Sequence, residues 1–244
     1  MKPQSFEAKR TSLQKAFVRK LEQNPTLREQ QVKLAWSNWG FGIESLDRSA
    51  ARLARHGIEW IELHGNRYGP DLGYRVPEVR EVLTRHGLKV AGVCGMFGVE
   101  NDLSSPSGVT RQRAVDYLRR QIDLCRELGG HYLLVVPGAV GRPDPYDESE
   151  FFRSAETLRI VADGFVEAGI EAAIEPIRSA EVSLVHTIAD ARKYLEVVDH
   201  PGIQHINGDV FHMQTEEPNI AEAILEAGDQ LVNLHLADSH RGAL

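Results

Sequence analysis

The sequence predicts an α/β fold: a (β/α)8 TIM-type barrel, with seven of its strands visible and an extra N-terminal helix. Three observations point there. From Gln31 onward, short apolar runs alternate with helical patterns, and that alternation implies parallel strands joined by crossover helices. Several helical patterns end at a glycine suited to a left-handed C-cap, as in His56-Gly57, His86-Gly87, Leu128-Gly129-Gly130 and Ala168-Gly169, with the next apolar run directly behind. No Gly-x-Gly-x-x-Gly turn follows the first run, so a dinucleotide-binding sheet would lack its phosphate turn. Right-handed crossovers then close into a barrel.

Taken in order, residues 5–23 read as an amphipathic helix, with Phe6, Leu13, Phe17 and Leu21 at helical spacing and Lys, Arg and Glu on the other face. Such a helix covers a barrel bottom or makes a subunit contact, the second use pointing to a homo-oligomer. Asn24-Pro25-Thr26 ends it. Residues 1–30 are thus expected to be a helical extension and residues 31–244 the barrel. Strands are expected over 32–36, 58–63, 88–94, 131–136, 170–175, 203–209 and 231–236. The helical patterns between them cover 43–56, 76–86, 108–128, 148–168, 187–199 and 218–228. A β/α barrel takes eight strands, so the eighth is expected beyond Leu244. Without it, an exposed parallel edge invites pairing with another chain.

Composition narrows the function classes. The net charge of -7 argues against a nucleic-acid surface, which carries a basic excess. Cys94 and Cys125 are the only cysteines, which points away from a disulfide framework. No apolar run approaches the roughly 20 residues of a membrane span. The first ten residues hold no apolar signal core. The expectation is a cytoplasmic protein with no membrane partner.

Chemistry concentrates between Ile170 and Leu244. Three apolar runs there end in residues that bind metals or move protons: Glu175 after the first, Asp209 and His212 after the second, His235, Asp238, His240 and Arg241 after the third. In a parallel barrel such strand ends face one mouth, where barrel enzymes do chemistry. Glu175, Asp209 and His235 lie one β/α unit apart, so three neighbouring strands can each offer one ligand. Two carboxylates and an imidazole without a thiolate suit a hard or borderline divalent ion: Mn²⁺, Co²⁺, Mg²⁺ or Zn²⁺. Taken singly, each has a plainer use, as a surface ion pair or a core histidine; the three together carry the reading.

Other residues line the same mouth. Trp36 and Trp39 flank the end of the first strand, where a flat ring packs against a bound ligand or simply on the core. Glu62 and His64 end the second strand; His64 is either a substrate contact or a solvated loop residue. Cys94 and Gly95 end the third, and Cys94 has no acid–base partner nearby in sequence that would make it a nucleophile. Asp238 and His240 sit beside His235, where they can orient it.

The motifs Glu175-Pro-Ile-Arg-Ser-Ala-Glu181, Asp209-Val-Phe-His212-Met and His235-Leu-Ala-Asp-Ser-His-Arg241-Gly resemble the xylose-isomerase-like sugar isomerase/epimerase superfamily. The nearest branch is the D-tagatose/D-psicose 3-epimerases, and the resemblance covers about residues 32–244. It implies that Glu175, Asp209 and His235 hold a divalent ion, Mn²⁺ before Co²⁺, Mg²⁺ or Zn²⁺. It implies that His212 meets the substrate's carbonyl-side oxygens and that Glu181 and Arg241 line the sugar site; Trp39, His64 and Cys94 are expected there too, by their positions at strand ends. It also implies a fourth ligand, a second glutamate on strand eight beyond Leu244, which with Glu175 flanks the reacting carbon. Arg178-Ser179 stands where epimerases often carry Asn-Arg, which leaves the substrate open.

The chemistry is coherent without the resemblance. A hydrogen beside a ketone is weakly acidic, and a chelated cation stabilises the enediolate charge as it develops. A close carboxylate, here Glu175, then serves as general base. Three rivals share the scaffold: a lyase such as a C-glycoside deglycosidase acting on 3-keto glycosides, some of which work with a partner subunit; a degenerate barrel that binds without turnover; and an endonuclease IV-type repair enzyme, which needs a basic groove.

Overall fold

The computed structural model describes residues 6–29, 32–65, 74–237 and 241. The chain divides into two compact units, Met1–Leu34 and Ala35–Leu244. In the first, helix α1 (Phe6–Gln23) is followed by a short 3-10 turn over Pro25–Arg28. Proline opens that turn because its fixed φ and missing N–H suit a first helical position.

In the second unit, seven strands form one sheet: β1 (Ala35–Ser37), β2 (Trp60–His64), β3 (Lys89–Cys94), β4 (Tyr132–Val135), β5 (Glu171–Ile174), β6 (His205–Asp209) and β7 (Leu231–His235). Their spatial order is their sequence order, and every neighbouring pair is parallel. The expected barrel architecture is therefore present. The strands begin or end one to three residues from the expected ranges, because inter-strand pairing decides where an extended segment counts. The largest shift is at β1, which pairs only over Ala35↔Trp60 to Ser37↔Glu62.

The sheet is strongly curved. Five strand spacings in a flat sheet would separate β2 from β7 by about 24 Å. Yet the His235 ring on β7 touches the Glu62 carboxylate on β2, with Nε2 2.9 Å from Oε2. The two strands therefore face each other across the barrel interior. Strand residues such as Leu133, Leu134, Val135 and Ile174 are fully buried, as expected where helices cover the outside of a parallel sheet.

The covering helices are α2 (Leu46–Arg55), α3 (Val76–His86), α4 (Gly108–Glu127), α5 (Glu150–Arg159), α6 (Ala162–Ala168), α7 (Ile188–Val198), α8 (Val210–Glu216) and α9 (Ile220–Ala227). Most start on a side-chain cap: Ser45, Ser107 and Asn219 each accept a backbone N–H, and Thr187 forms a capping box with Asp190. Gly87 and Gly169 close α3 and α6 in the left-handed conformation, the role their placement predicts.

Two helices differ from expectation. The pattern over 148–168 is two helices, parted at Ile160-Val161. A β-branched pair shortly before Gly164 is a weak helix former, and the break buries Val161, Ala162 and Phe165. Helix α8 is an addition, too short for its periodicity to stand out. Among the described residues no helix is long and apolar enough to cross a membrane.

Three βα loops are pinned together by a buried polar network. Arg142, after β4, reaches Asp102 at 3.1 Å and Ser104 at 2.8 Å on the loop after β3, and pairs with Glu150 at the start of α5. Glu150 also accepts from Ser104 at 2.8 Å and from Ser183, after β5, at 2.7 Å. Asp102 is fully buried and Glu150 nearly so. Charges so placed need complete pairing.

Candidate active site

Each functional side chain reaches the mouth by a local rule. Glu175 directly follows β5, and its backbone N–H extends the ladder to Val135 O at 3.0 Å. The side chain turns inward, where Asn207 Nδ2 donates to its Oε1 at 3.0 Å. Asn207 is in turn held by Asn233, whose amide donates to Asn207 Oδ1 at 2.8 Å. Asp209 ends β6 and also caps α8, its Oδ1 accepting from Phe211 N at 2.8 Å. That leaves Oδ2 for the site. His212 sits in the first turn of α8, three residues on, so the helix returns it to the same face. His235 is in register with Asp209 on the neighbouring strand.

These groups converge. Glu175, Asp209 and His212 each offer a ligand atom, all within 4.8 Å of one another. His235 Nδ1 lies 3.5 Å from Glu175 Oε1 and 4.0 Å from Asp209 Oδ2. Both histidines therefore face the carboxylate pair. They differ in what else they touch. His212 Nε2 is 2.8 Å from Arg241 Nη2, whereas His235 places Nε2 on Glu62 and has its Nδ1 3.3 Å from the Asn207 amide nitrogen. Carboxylates and imidazoles at this spacing, buried and without a thiolate, fit a hard or borderline divalent ion.

The electrostatics follow from burial. Glu175 is pushed above the ordinary carboxylate range, first by burial and also by Asp209 and Glu62, against the opposing His235 contact. Burial alone would lower His235, but the charge of Glu62 and hydrogen bonds to Glu175 and Glu62 hold it well above its usual value. Glu62 shows the counterpart: burial raises it, and His235 with Tyr132 more than offsets this, leaving it lowered. His212 is lowered to about 4, chiefly by burial and also by Arg241 and Arg178, against Asp209. It is a neutral imidazole at neutral pH.

The other candidates fall at different distances from this centre. The Arg241 guanidinium lies 4.1 Å from the Phe211 ring centroid and 5.1 Å from that of Trp39. It takes a left-handed backbone, φ 53°. Trp39 is partly exposed in a 3-10 turn after β1, while Trp36 stacks on Phe41. His64 is buried, and its backbone N–H donates to Asn38 Oδ1 at 2.7 Å. Cys94 is paired in register with His64; burial, then the charges of Glu62, Glu175 and Asp209, pushes its thiol well up. Glu181 stands apart from the cluster, bound by Arg178 Nε at 2.5 Å, and Arg178 lies over Phe211 at 4.7 Å. Asp238 and His240 lie outside the described residues.

Sequence reasoning placed Glu62 at the mouth without a partner and did not single out Asn207 or Asn233. All three are polar residues within strands, and polarity inside a buried parallel strand was the available signal.

Residues 50–243 match the xylose isomerase-like TIM barrel family. The chain is 27% identical over 220 residues to 3-dehydro-D-guloside 4-epimerase of Escherichia coli (strain K12), spanning 86% of this chain and 80% of the relative. It is 26% identical over 213 residues to L-ribulose 3-epimerase of Methylomonas sp. (strain DH-1), spanning 86% and 72%. Among solved structures, an L-ribulose 3-epimerase superposes with a TM-score of 0.79 at 24% identity, covering 88% of this chain and 72% of that one. A Methylomonas D-allulose 3-epimerase in complex with D-allulose gives 0.78 at 24%, covering 88% and 75%. At that identity these likenesses show the fold. The match over most of its length makes this chain a member of the xylose isomerase-like TIM barrel family, with ketose 3-epimerases among its relatives.

Proposed function

We propose that this protein is a divalent-metal-dependent epimerase or isomerase of a keto sugar, with Glu175 as its general base. The observation that carries the reading is the convergence of the partly buried His235 on the buried Glu175 and Asp209, beside the His212–Arg241 pair. Glu175, Asp209 and His235 would hold the ion. When bound, it supplies charge stabilisation to the carbonyl and adjacent hydroxyl of the sugar as an enediolate develops.

The chain's own residues do the rest. Glu175 takes the proton from the carbon beside the ketone, and the C–H electron pair becomes the double bond of the enediolate. Asn207 fixes the carboxylate for this, and burial strengthens it as a base. Return of a proton to the opposite face of the same carbon gives the epimer, and return to the neighbouring carbon gives the isomer. His212 and Arg241 would act as a pair on the sugar oxygens, Arg241 providing the fixed positive charge. Trp39 and Phe211 flank that guanidinium and form an apolar wall for a sugar face.

A second reading has a specific support. The similarity to 3-dehydro-D-guloside 4-epimerase favours a glycosylated keto sugar over a free ketose, and α-deprotonation of such a substrate also opens the lyase route. One experiment tests both. The protein, loaded with Mn²⁺, is incubated in D₂O with ketopentoses, ketohexoses and 3-keto glycosides, quenched, stripped of metal and read by NMR. Deuterium entering beside the carbonyl, lost in Glu175→Gln, is the expected result. Release of the aglycone would favour the lyase. No exchange with any of these substrates would overturn the proposal.

A further inference from the structure

Beside the proposed ligands is a row of three residues in lateral register: Glu62 on β2, Gly92 on β3 and Tyr132 on β4. Gly92 has no side chain to fill the space between its neighbours. A Cβ built there would stand 2.6 Å from the Tyr132 ring, a distance that real contacts do not reach. The glycine therefore lets Tyr132 lie across β3, and its hydroxyl donates to Glu62 Oε2 at 2.7 Å. The same oxygen accepts from His235 Nε2 at 2.9 Å across the barrel.

We infer that Glu62 is a positioning residue for His235: it binds the Nε2–H, so that Nδ1 is the ring atom presented to Glu175 and Asp209. The inference rests on the metal-site reading above. Three observations carry it. Glu62 is 2% exposed, and an isolated carboxylate at that depth is costly unless a polar task retains it. Tyr132 donates to the same oxygen that His235 meets, so two partners hold the carboxylate in place. Finally, Nδ1 lies 3.5 Å from Glu175 Oε1, within the same group as Asp209, while Nε2 is committed elsewhere. A carboxylate behind a ligating imidazole sets which nitrogen faces the ion and raises its basicity, and such partners are worth about 10–100-fold in metal affinity.

The test compares Mn²⁺ affinity by calorimetry in the parent, Glu62→Leu, Glu62→Gln, Tyr132→Phe and His235→Ala. Leucine leaves the Tyr132 hydroxyl and the His235 Nε2–H without their acceptor, so the metal-free fold should melt lower than the parent, and Mn²⁺ affinity should fall more than tenfold. Glutamine keeps an acceptor for Nε2–H and should restore most of that loss. Tyr132→Phe should cost less than Glu62→Leu. In the Zn²⁺-loaded protein, ¹⁵N NMR of the His235 ring should find its proton on Nε2. Parent affinity in Glu62→Leu alongside weak binding in His235→Ala overturns the positioning role and leaves the metal site standing. Parent affinity in His235→Ala overturns both. A ring proton on Nδ1, or a Glu62→Gln variant that melts like the parent yet binds Mn²⁺ as weakly as Glu62→Leu, also overturns it.

Discussion

Arg241 Nη2 lies 2.8 Å from His212 Nε2, and this contact distinguishes the two histidines of the site. A guanidinium has donors only, so Nε2 of His212 must turn its lone pair to Arg241. That lone pair is then not free for an ion. His235 has a weaker competitor: its Nδ1 lies 3.3 Å from the neutral Asn207 amide nitrogen, which already donates to Glu175 at 3.0 Å, and it still faces Glu175 and Asp209.

From this follows a division of labour among variants. His212→Ala should retain Mn²⁺ and lose turnover on the order of 10²-fold. Glu175→Gln, Asp209→Asn and His235→Ala should each lower Mn²⁺ affinity by about tenfold or more, by analogy with outer-shell losses of that size. Asparagine keeps the cap on α8, so the Asp209 variant should fold normally. Calorimetric titration checks all four. Lost binding in His212→Ala would make His212 the ligand.

The pH dependence has a definite sign. His212 takes up its proton at about 4 in the folded protein and near 6.5 once unfolded. Between those values the unfolded chain binds more protons, so the contribution is full above pH 6.5 and is lost as pH falls through 4. In NMR titration of the metal-free protein, the His212 ring should titrate near 4. Arg241→Ala should move it upward, because that neighbouring charge is among the causes that lower it.

Arg142 should be the most costly loop residue to remove. Its replacement by methionine leaves Asp102 and Glu150 buried without their cation, a loss of about 3–5 kcal/mol for a broken buried pair. Denaturant unfolding measures it. Removing Asp102, Glu150 and Arg142 together for apolar residues should recover much of the loss, because the penalty lies in the unpaired charges.

Neither cysteine should behave as a reactive thiol. Burial pushes Cys125 up to about 12, and burial with the site's carboxylates raises Cys94 well above its usual value. The thiolate is the reactive form. Iodoacetamide at pH 8 should therefore leave both unmodified in the native protein and alkylate both in denaturant, as read by mass spectrometry.

What was legible in the sequence is what neighbours along the chain decide. Alternating apolar runs, helix caps and the glycines Gly87 and Gly169 are set by residues a few positions apart, so the parallel β/α order could be read before any contact was known. Glu175, Asp209 and His235 were visible for the same reason, each a polar residue at the end of an apolar run. Boundaries were less legible, because a strand such as β1 ends where its partner's ladder ends, and α8 is too short to announce itself. Glu62 shows what only the tertiary structure decided. In sequence it is a carboxylate 173 residues from His235 and 70 from Tyr132, with nothing local to connect them. Curvature of the sheet brings β2 opposite β7, and the missing side chain of Gly92 opens the path from Tyr132. Curvature of a sheet is a property of all its strands at once, so the partners it brings together across the interior are written in no single stretch of the chain.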